Sequence, residues 1–457
     1  MKTKMNQYGM KITRRLLFYT TFCLLFISTS NLRAQTDSTV MSLSLADAQE
    51  YALNNNLSVV SAKYDAEASR FMIWEAISAG LPQVNASASL NDNLKLMTTL
   101  LPGEFFGQPG TKIPVQFGSK YNSSFGAQAS LLLFNAPYLV GVQTSQLAGK
   151  LTGLNLERTE QETREAVIMS YYLILISEES MRILDGNIAA LKETLMSTRA
   201  MLSAGMAEAT DVDQMESNVA MMRNTQSSME RTLELNYNML RFQLGVTPET
   251  RILLTESLES IIASTDVSAV LEAEFNLRDN VNFRLIEGQE QMSELSLKMQ
   301  KASVLPTISG FYSYSKSGMG DKLGELDWFP NSVLGLQVSL PIFASGTRYS
   351  KIKQAQIELE KARNGRELMS EQLRIQEKQL RYNLVNAREQ YNLQKANIEV
   401  SKRIYASVEN KYRQGMASSL EVTQANANYL QAENNYISAL MTLLQSKVAL
   451  DKLLGNF

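Results

Sequence analysis

Carboxylates are the side chains through which this sequence could act chemically. The chain of 457 residues contains no histidine and a single cysteine, Cys23. Histidine is the commonest metal ligand and acid–base group near neutral pH, so we expect no enzymatic activity, no metal and no cofactor. Two acids follow matching phrases, Asp211 after "AGMAEAT" and Glu421 after "QGMASSL". Carboxylates that meet in a constriction attract cations, whereas an acid near a helix N-terminus is also favoured by the helix dipole.

The two phrases belong to a long internal repeat. "LPQVNASASL" from Leu81 aligns with "LPTISGFYSY" from Leu305, and "FGAQASLLLF" from Phe125 aligns with "LGLQVSLPIF" from Leu334. A period of more than 200 residues is too long for a solenoid. The sequence therefore predicts a tandem duplication, with copies at 42–245 and 267–455 joined by a linker at 246–266.

Each copy is predicted to run in the same order: a short helix, a helix of about 20 residues, two strands, a long helix and a return helix. The strands are marked by apolar residues that alternate with Asn, Gln, Gly and Ser, which gives each strand one apolar and one polar face. The predicted strands are 82–97, 115–134, 306–316 and 331–343, the long helices 137–204 and 346–414, and the return helices 207–244 and 417–454.

The long helices carry a coiled-coil pattern. Leu384, Tyr391, Ile398 and Tyr405 recur every seven residues, which is the spacing of a helix–helix seam. The return helix repeats this spacing. Its seam positions are Val422, Tyr429, Tyr436, Leu443 and Leu450. Nearly 70 uninterrupted helical residues would reach about 100 Å.

The N-terminus has the features of a secretory signal peptide. Basic residues precede the apolar stretch from Leu16 to Ile27, and small residues allow cleavage after Ala34. We therefore expect residues 1–34 to be removed from an exported chain. The net charge of −2 argues against a nucleic-acid partner.

Strands with one apolar face need a solvent for that face. For an exported chain, outer-membrane lipid is such a solvent, and strands persist there only in closed barrels. Four strands cannot close a useful pore, so several chains would have to share one barrel. The alternative is a soluble four-stranded sheet packed on a helical bundle.

Several motifs resemble the TolC-like outer-membrane efflux proteins. They are "LSLADAQEYALNNN" (Leu43–Asn56), "LPIFASGTR" (Leu340–Arg348) and "YRQGMASSLEVTQANANYLQAENNYISA" (Tyr412–Ala439). The resemblance implies a mainly α protein with transmembrane β-structure. Its duplicated coiled-coil hairpins would form a periplasmic α-barrel, and a homotrimer would share one twelve-stranded outer-membrane β-barrel.

In function, the resemblance implies a passive exit duct in the outer membrane of a Gram-negative-type cell. The duct would serve a tripartite pump or a type I secretion system. Its partners would be a periplasmic adaptor and, through the adaptor, an inner-membrane transporter of the RND, ABC or MFS type. The alternative is the periplasmic adaptor itself, which should show one hairpin flanked by β-rich domains instead of two similar copies.

The resemblance also assigns roles to the hairpin turns. Ala204, Gly205 and Met206, with Gln414, Gly415 and Met416, would be the tips that contact the adaptor. Both glycines fit the left-handed position that follows a helix.

Residues on either side of the turns would line the periplasmic aperture or help to hold it closed. They are Thr210, Asp211, Tyr412, Glu421 and Gln424. Acids in a trimeric ring predict cation-selective conductance. Two positions depart from the family pattern, which has a second acid at Gln424 and an arginine at Ala417.

Overall fold

The computed structural model describes residues 40–107 and 109–457. The predicted signal peptide, 1–34, lies outside these residues. Contacts divide the chain into a small unit, Met1–Ser42 with Glu249–Leu253, and a large one, Leu43–Pro248 with Leu254–Phe457. Strand β1 (Val40–Leu43) pairs with strand β6 (Arg251–Leu254); all but the last residue of each strand belongs to the small unit.

The large unit contains all of the described helices. They are α1 (Leu45–Asn55), α2 (Leu57–Ser78), α3 (Ala136–Ser203), α4 (Ala209–Leu244), α5 (Leu258–Ser264), α6 (Val267–Glu272), α7 (Val281–Ala302), α8 (Thr347–Arg413) and α9 (Ser419–Leu454), with short 3₁₀ turns at Gly103–Phe106 and Leu277–Asp279. Within the described ranges, none of these helices combines the length and apolarity needed to cross a membrane. Helices α3 and α4 form a first hairpin, and α8 and α9 form a second.

Four antiparallel strands form the main sheet. They are β2 (Gln83–Asp92), β5 (Tyr121–Phe134), β7 (Thr307–Gly320) and β8 (Asp327–Ser339), in the order β2-β5-β7-β8. The first strand pair differs from the prediction of 82–97 and 115–134, because a separate hairpin of β3 (Met97–Pro102) and β4 (Lys112–Phe117) lies between β2 and β5. Asn93 closes the base of this hairpin, since its side chain donates to the Ser119 carbonyl at 2.9 Å.

The second copy and the linker also differ from the predicted bounds. Strand β7 continues past the predicted end at 316 to Gly320, and β8 stops at Ser339 instead of 343. Pro341, two residues after the end of β8, has no backbone N–H and cannot extend the ladder as a donor. The predicted linker 246–266 contains strand β6 and helix α5, which were too short to show periodicity.

The pairing register gives the sheet one apolar and one polar face. One row across the four strands is Val84, Ala129, Tyr312 and Leu334. The neighbouring row on the opposite face is Asn85, Gln128, Ser313 and Val333. Apolar residues of both copies therefore share one surface, and that surface is exposed in the single chain.

The coiled-coil prediction is confirmed. On α8 the buried seam includes Leu384, Tyr391, Tyr405 and Tyr412. On α9 it includes residues at the same seven-residue spacing: Val422, Tyr429, Leu443 and Leu450. The rings of Tyr405 and Tyr429 stack at 5.9 Å between centroids. Each hairpin is thus held by its own apolar interior.

A buried asparagine closes each copy in the same way. Asn56 caps α2 by accepting from the backbone N–H groups of Ser58 and Val59, and its Nδ2 donates to the Gln243 carbonyl at 2.8 Å near the end of α4. Asn280 caps α7 equivalently, and its Nδ2 donates to the Leu453 carbonyl at 3.2 Å near the end of α9. One side chain therefore starts a helix and ties it to the end of the return helix.

The glycine after each return helix allows this close approach. Gly245 and Gly455 have φ of 71° and 79°. A Cβ at Gly245 would lie 2.4 Å from the Asn55 carbonyl oxygen, and one at Gly455 would lie 2.9 Å from that of Asp279. Both positions therefore require glycine for conformation and for space.

Replacing either asparagine by alanine removes both the helix cap and the tie to the return helix. We expect Asn56→Ala and Asn280→Ala each to lower the free energy of unfolding by about 1–3 kcal/mol. The control, Asn54→Ala, removes one exposed bond within α1 and should change it by less than about 0.5 kcal/mol. Denaturation of the purified protein followed by circular dichroism measures all three, and equal effects at Asn54 and Asn56 would contradict this account.

Candidate functional site at the hairpin tips

Both long helices end in the same turn. After α3, the Met206 N–H donates to the Met201 carbonyl at 2.8 Å and the Gly205 N–H to the Leu202 carbonyl at 3.0 Å. After α8, Met416 and Gly415 repeat these bonds at 2.8 and 2.9 Å. This is the Schellman arrangement, which needs a left-handed residue after the helix, and Gly205 and Gly415 supply it with φ of 70° and 71°.

The tips present a methionine on each turn. Met206 is 73% exposed and Met416 is 66% exposed. Ala204 and Gln414 are the capping residues that precede the glycines. The six residues predicted as adaptor-contacting tips therefore form two equivalent exposed turns, and their contact with an adaptor stays a prediction.

The two recurring acids cap the return helices. Asp211 accepts from the Glu208 N–H at 2.9 Å, and Glu421 accepts from the Ser418 N–H at 2.7 Å. The bond from the Ser418 N–H favours the ionised form of Glu421 and lowers the pKa of its carboxyl, and a bond from the Ser418 hydroxyl lowers it further. The Ser418-x-x-Glu421 spacing is a capping-box signature that could have been recognised in the sequence.

Asp211 also reaches the other hairpin. The Ser419 hydroxyl, at the start of α9, donates to the Asp211 carboxylate. This bond is the main reason that the pKa of Asp211 lies below its usual value, and the backbone N–H of Glu208 adds to it. Asp211 is therefore ionised at neutral pH and serves both hairpins.

Tyr412 is a second link between the hairpins. It is buried, and its hydroxyl lies 2.6 Å from the Thr198 hydroxyl on α3. Since the Thr198 hydroxyl donates to the Thr194 carbonyl at 2.9 Å, the Tyr412 hydroxyl is the donor in this pair. The remaining predicted aperture residues stay within their own hairpin: Thr210 donates to Glu208 at 3.2 Å, and Gln424 to Asn428 at 3.0 Å.

An arginine that the sequence analysis missed also joins the hairpins. Arg413 on α8 contacts Glu193 of α3 at 3.0 Å and Glu409 of its own helix at 2.8 Å. The Arg413–Glu409 spacing is visible in the sequence, but the contact with Glu193 depends on the fold. Ala417, beyond the turn that follows Arg413, packs partly buried against the cluster that contains Tyr412.

The tips show no metal site. In the described ranges there is no group of three or more acids or cysteines placed to hold a metal ion. The chemistry available at the tips is hydrogen bonding, apolar contact through the methionines, and the charge of the carboxylates.

The fold is that of outer-membrane channels. The chain resembles the outer membrane protein VceC of Vibrio cholerae with a TM-score of 0.70 and 13% identity, covering 90% of this chain and 96% of that one. It resembles the open state of the MtrE outer membrane channel of Neisseria gonorrhoeae with a TM-score of 0.68 and 18% identity, covering 90% and 88%. At such identities the likeness is one of fold.

The sequence comparison identifies the family. The family described as outer membrane efflux protein matches residues 49–246 and 287–456, and the chain belongs to it. The chain is also 22% identical over 292 residues to the proteases secretion protein PrtF of Dickeya chrysanthemi, a match that covers 63% of this chain and 61% of that protein. The predicted TolC-like relationship is confirmed, and the alternative of a periplasmic adaptor is wrong.

Removing the Tyr412 hydroxyl should weaken the link between the hairpins. We expect Tyr412→Phe to lower the free energy of unfolding by about 1 kcal/mol, because it deletes one buried hydrogen bond and leaves the ring packing unchanged. Tyr64→Phe is the matched control, since Tyr64 is exposed and its loss of a hydroxyl should have no measurable effect. Thermal unfolding of both variants measures the difference, and an unchanged melting temperature for Tyr412→Phe would contradict the assigned bond.

Proposed function

We propose that three copies of this chain form a passive exit duct in the outer membrane. In this proposal each chain contributes the sheet β2-β5-β7-β8 to a barrel of twelve strands. The observation that carries it is a four-stranded sheet with two open edges and one exposed apolar face, in a chain of the outer membrane efflux protein family.

The open edges require partners if the sheet lies in lipid. Strands β2 and β8 each pair on one side only, and unpaired backbone groups are costly in hydrocarbon. Leu334 and Leu336 on β8 are 82% and 72% exposed, as suits contact with lipid acyl chains. Joining β8 of one copy to β2 of the next would satisfy both edges and close the barrel.

A second apolar stripe supports association of several copies. Leu368, Ile375 and Tyr382 on α8 are spaced by seven residues, and each is at least 60% exposed in the single chain. They lie on a different face from the buried seam at Leu384 and Tyr391. A helix with two heptad stripes can pack against two neighbours at once, so this stripe fits a helix of another copy in an α-helical barrel.

Two equivalent units within the chain explain the geometry of each subunit. We propose that residues 42–245 and 267–455 are copies of one ancestral unit, joined by 246–266. The matching caps at Asn56 and Asn280, and the matching turns at Gly205 and Gly415, support this division. Both hairpin tips then lie at the same end of the duct.

The partners follow from the family and its relatives. A Dickeya relative is described as a proteases secretion protein, and other similar structures are outer-membrane channels. We propose that the tips at Met206 and Met416 contact a periplasmic adaptor, which connects the duct to an energised inner-membrane transporter. The chain itself would perform no catalysis, and export would be driven by that transporter.

A charge on the lipid-facing side of the sheet should prevent assembly. Arginine on the lipid face costs about 2–4 kcal/mol near the bilayer midplane, so Leu336→Arg should abolish the outer-membrane trimer. Gln337→Arg is the adjacent control on the polar face, where the charge should be tolerated. Light scattering of detergent-extracted protein should give three times the mass of the processed chain, which is the 51.1 kDa of the full sequence less its predicted signal peptide, for the parent and for Gln337→Arg; a stable soluble monomer of the parent would contradict the proposal.

The duct should conduct cations in preference to anions. Asp211 and Glu421 are ionised at neutral pH because hydrogen bonds lower the pKa of both carboxyls, and a ring of three such pairs would attract cations. Since each folded-state pKa is depressed, the charge is fully present above the ordinary carboxyl pKa and is lost only as pH falls through the lower, folded-state values.

Planar-bilayer recordings test this conductance directly. The double variant Asp211→Asn, Glu421→Gln should lose most of its cation preference at neutral pH. Asp213→Asn, which changes an exposed acid beside Asp211, should keep it. Anion selectivity in the parent would contradict the proposed aperture.

A further inference from the structure

The two hairpins have separate apolar interiors near their tips. That of the first hairpin contains Leu184, Ile188, Leu191, Val219 and Met222. That of the second contains Tyr405, Tyr412, Val422, Ala425 and Tyr429. Only a few apolar side chains cross between them, among them Leu430 and Met201.

Four polar pairs also join the hairpins near the tips, and we call this set of contacts the polar seam. It comprises Thr198 with Tyr412, Asp211 with Ser419, Asn218 with Thr423, and Glu193 with Arg413. Hydrogen bonds of this kind can be exchanged for bonds to water at small net cost. The polar seam is therefore a contact that can open while each hairpin keeps its own core.

Glu433 extends the polar seam farther from the tips. Ser419, Asn426 and Glu433 lie seven residues apart on α9, and all three are buried. Glu433 is only 6% exposed, and its Oε2 has no hydrogen-bond partner. The Nδ2 of Asn187 on α3 and the Oδ1 of Asn426 are also buried without partners. A buried carboxylate in such a position loses its hydration without full compensation.

The surroundings of Glu433 disfavour its charge. Burial raises the pKa of its carboxyl to about 7, the negative charge of Glu179 on α3 adds to the rise, and the Asn187 amide opposes it. Glu179 is itself paired with Arg182 at 2.5 Å. Burial raises the pKa of the neighbouring Tyr429, and the negative charges of Glu433 and of Glu399 on α8 add to that rise. Among the described residues that act on Glu433, none supplies a positive charge.

We propose that Glu433 is a proton-sensitive latch between the two hairpins of each chain. With the carboxyl protonated, the polar seam stays packed. With the carboxyl ionised, water enters the polar seam and the tips of the two hairpins separate more readily. This property belongs to the single chain and goes beyond its proposed role as an export duct.

The sign and size of the effect follow from linkage. The packed state holds the proton up to about pH 7, whereas a hydrated Glu433 would release it near its ordinary value of 4.5. Ionisation therefore favours the separated state increasingly as pH rises between these values, and the preference is constant above them. Between pH 5.5 and pH 8, the ratio of separated to packed seams should rise about 25-fold.

Thiol labelling of a buried seam position measures this ratio in the purified full chain. Cys23 is first replaced by serine, and Asn218→Cys places a thiol in the polar seam, where a labelling reagent reaches it only when the seam opens. Ser217→Cys, at the adjacent exposed position, reports the intrinsic reactivity of the thiol at each pH. The rate for Asn218→Cys divided by that for Ser217→Cys should rise about 25-fold from pH 5.5 to pH 8.

Glu433→Gln is the deciding variant, because it keeps the size and removes the titration. In its background the normalised labelling rate should be independent of pH, and Glu433→Met provides the same test if the glutamine variant does not fold. Glu230→Gln, at an exposed acid of α4, should retain the 25-fold rise. The same rise in Glu433→Gln, or no rise in the chain that carries Glu433, would overturn the latch.

Discussion

Backbone groups placed in lipid must find hydrogen-bond partners within protein, and this requirement governs how the chain can function. Its four-stranded sheet leaves one side of β2 and one side of β8 unpaired. In the duct that we propose, other copies supply the missing strands. The exposed leucines of β8 would then face acyl chains, the polar rows would face water, and the long hairpins would continue from the inner end of the barrel.

The two halves of the chain are closed in the same way. Asn56 and Asn280 each tie the start of a helix to the end of a return helix, so both halves close with the same geometry. The hairpins are packed internally by aromatic and aliphatic seams, and hydrogen-bonded polar pairs join them near the tips. Two internally packed hairpins can move relative to one another without unfolding if water replaces the hydrogen bonds between them. Such movement would suit the proposed aperture.

Much of this fold could be predicted because its patterns are long. Seven-residue spacing over α8 and α9 and period-two alternation in β2 and β8 persist over enough residues to be unmistakable. Short elements escaped prediction: β6 has four residues, and β3 and β4 have six each. Gly205 and Gly415 at the hairpin tips were found because the motif Gly-Met-Ala occurs twice in the sequence. Glu193 and Arg413 pair across distant parts of the chain, and Asn187 and Glu433 are both buried although they lie far apart in the sequence. One sequence contains no local signal for either arrangement.

The central claim is that each chain gives four strands to a barrel closed by three copies. Cysteine cross-linking between β2 and β8 tests it most directly: one cysteine replaces Ser87, and a second replaces Asn331, Ser332 or Val333 in turn. Oxidation in native membranes should link copies into covalent dimers and trimers at one of these positions, and the series should stop at three because the ring is closed. No intermolecular cross-link at any position, or a ladder that continues beyond three, would contradict the account.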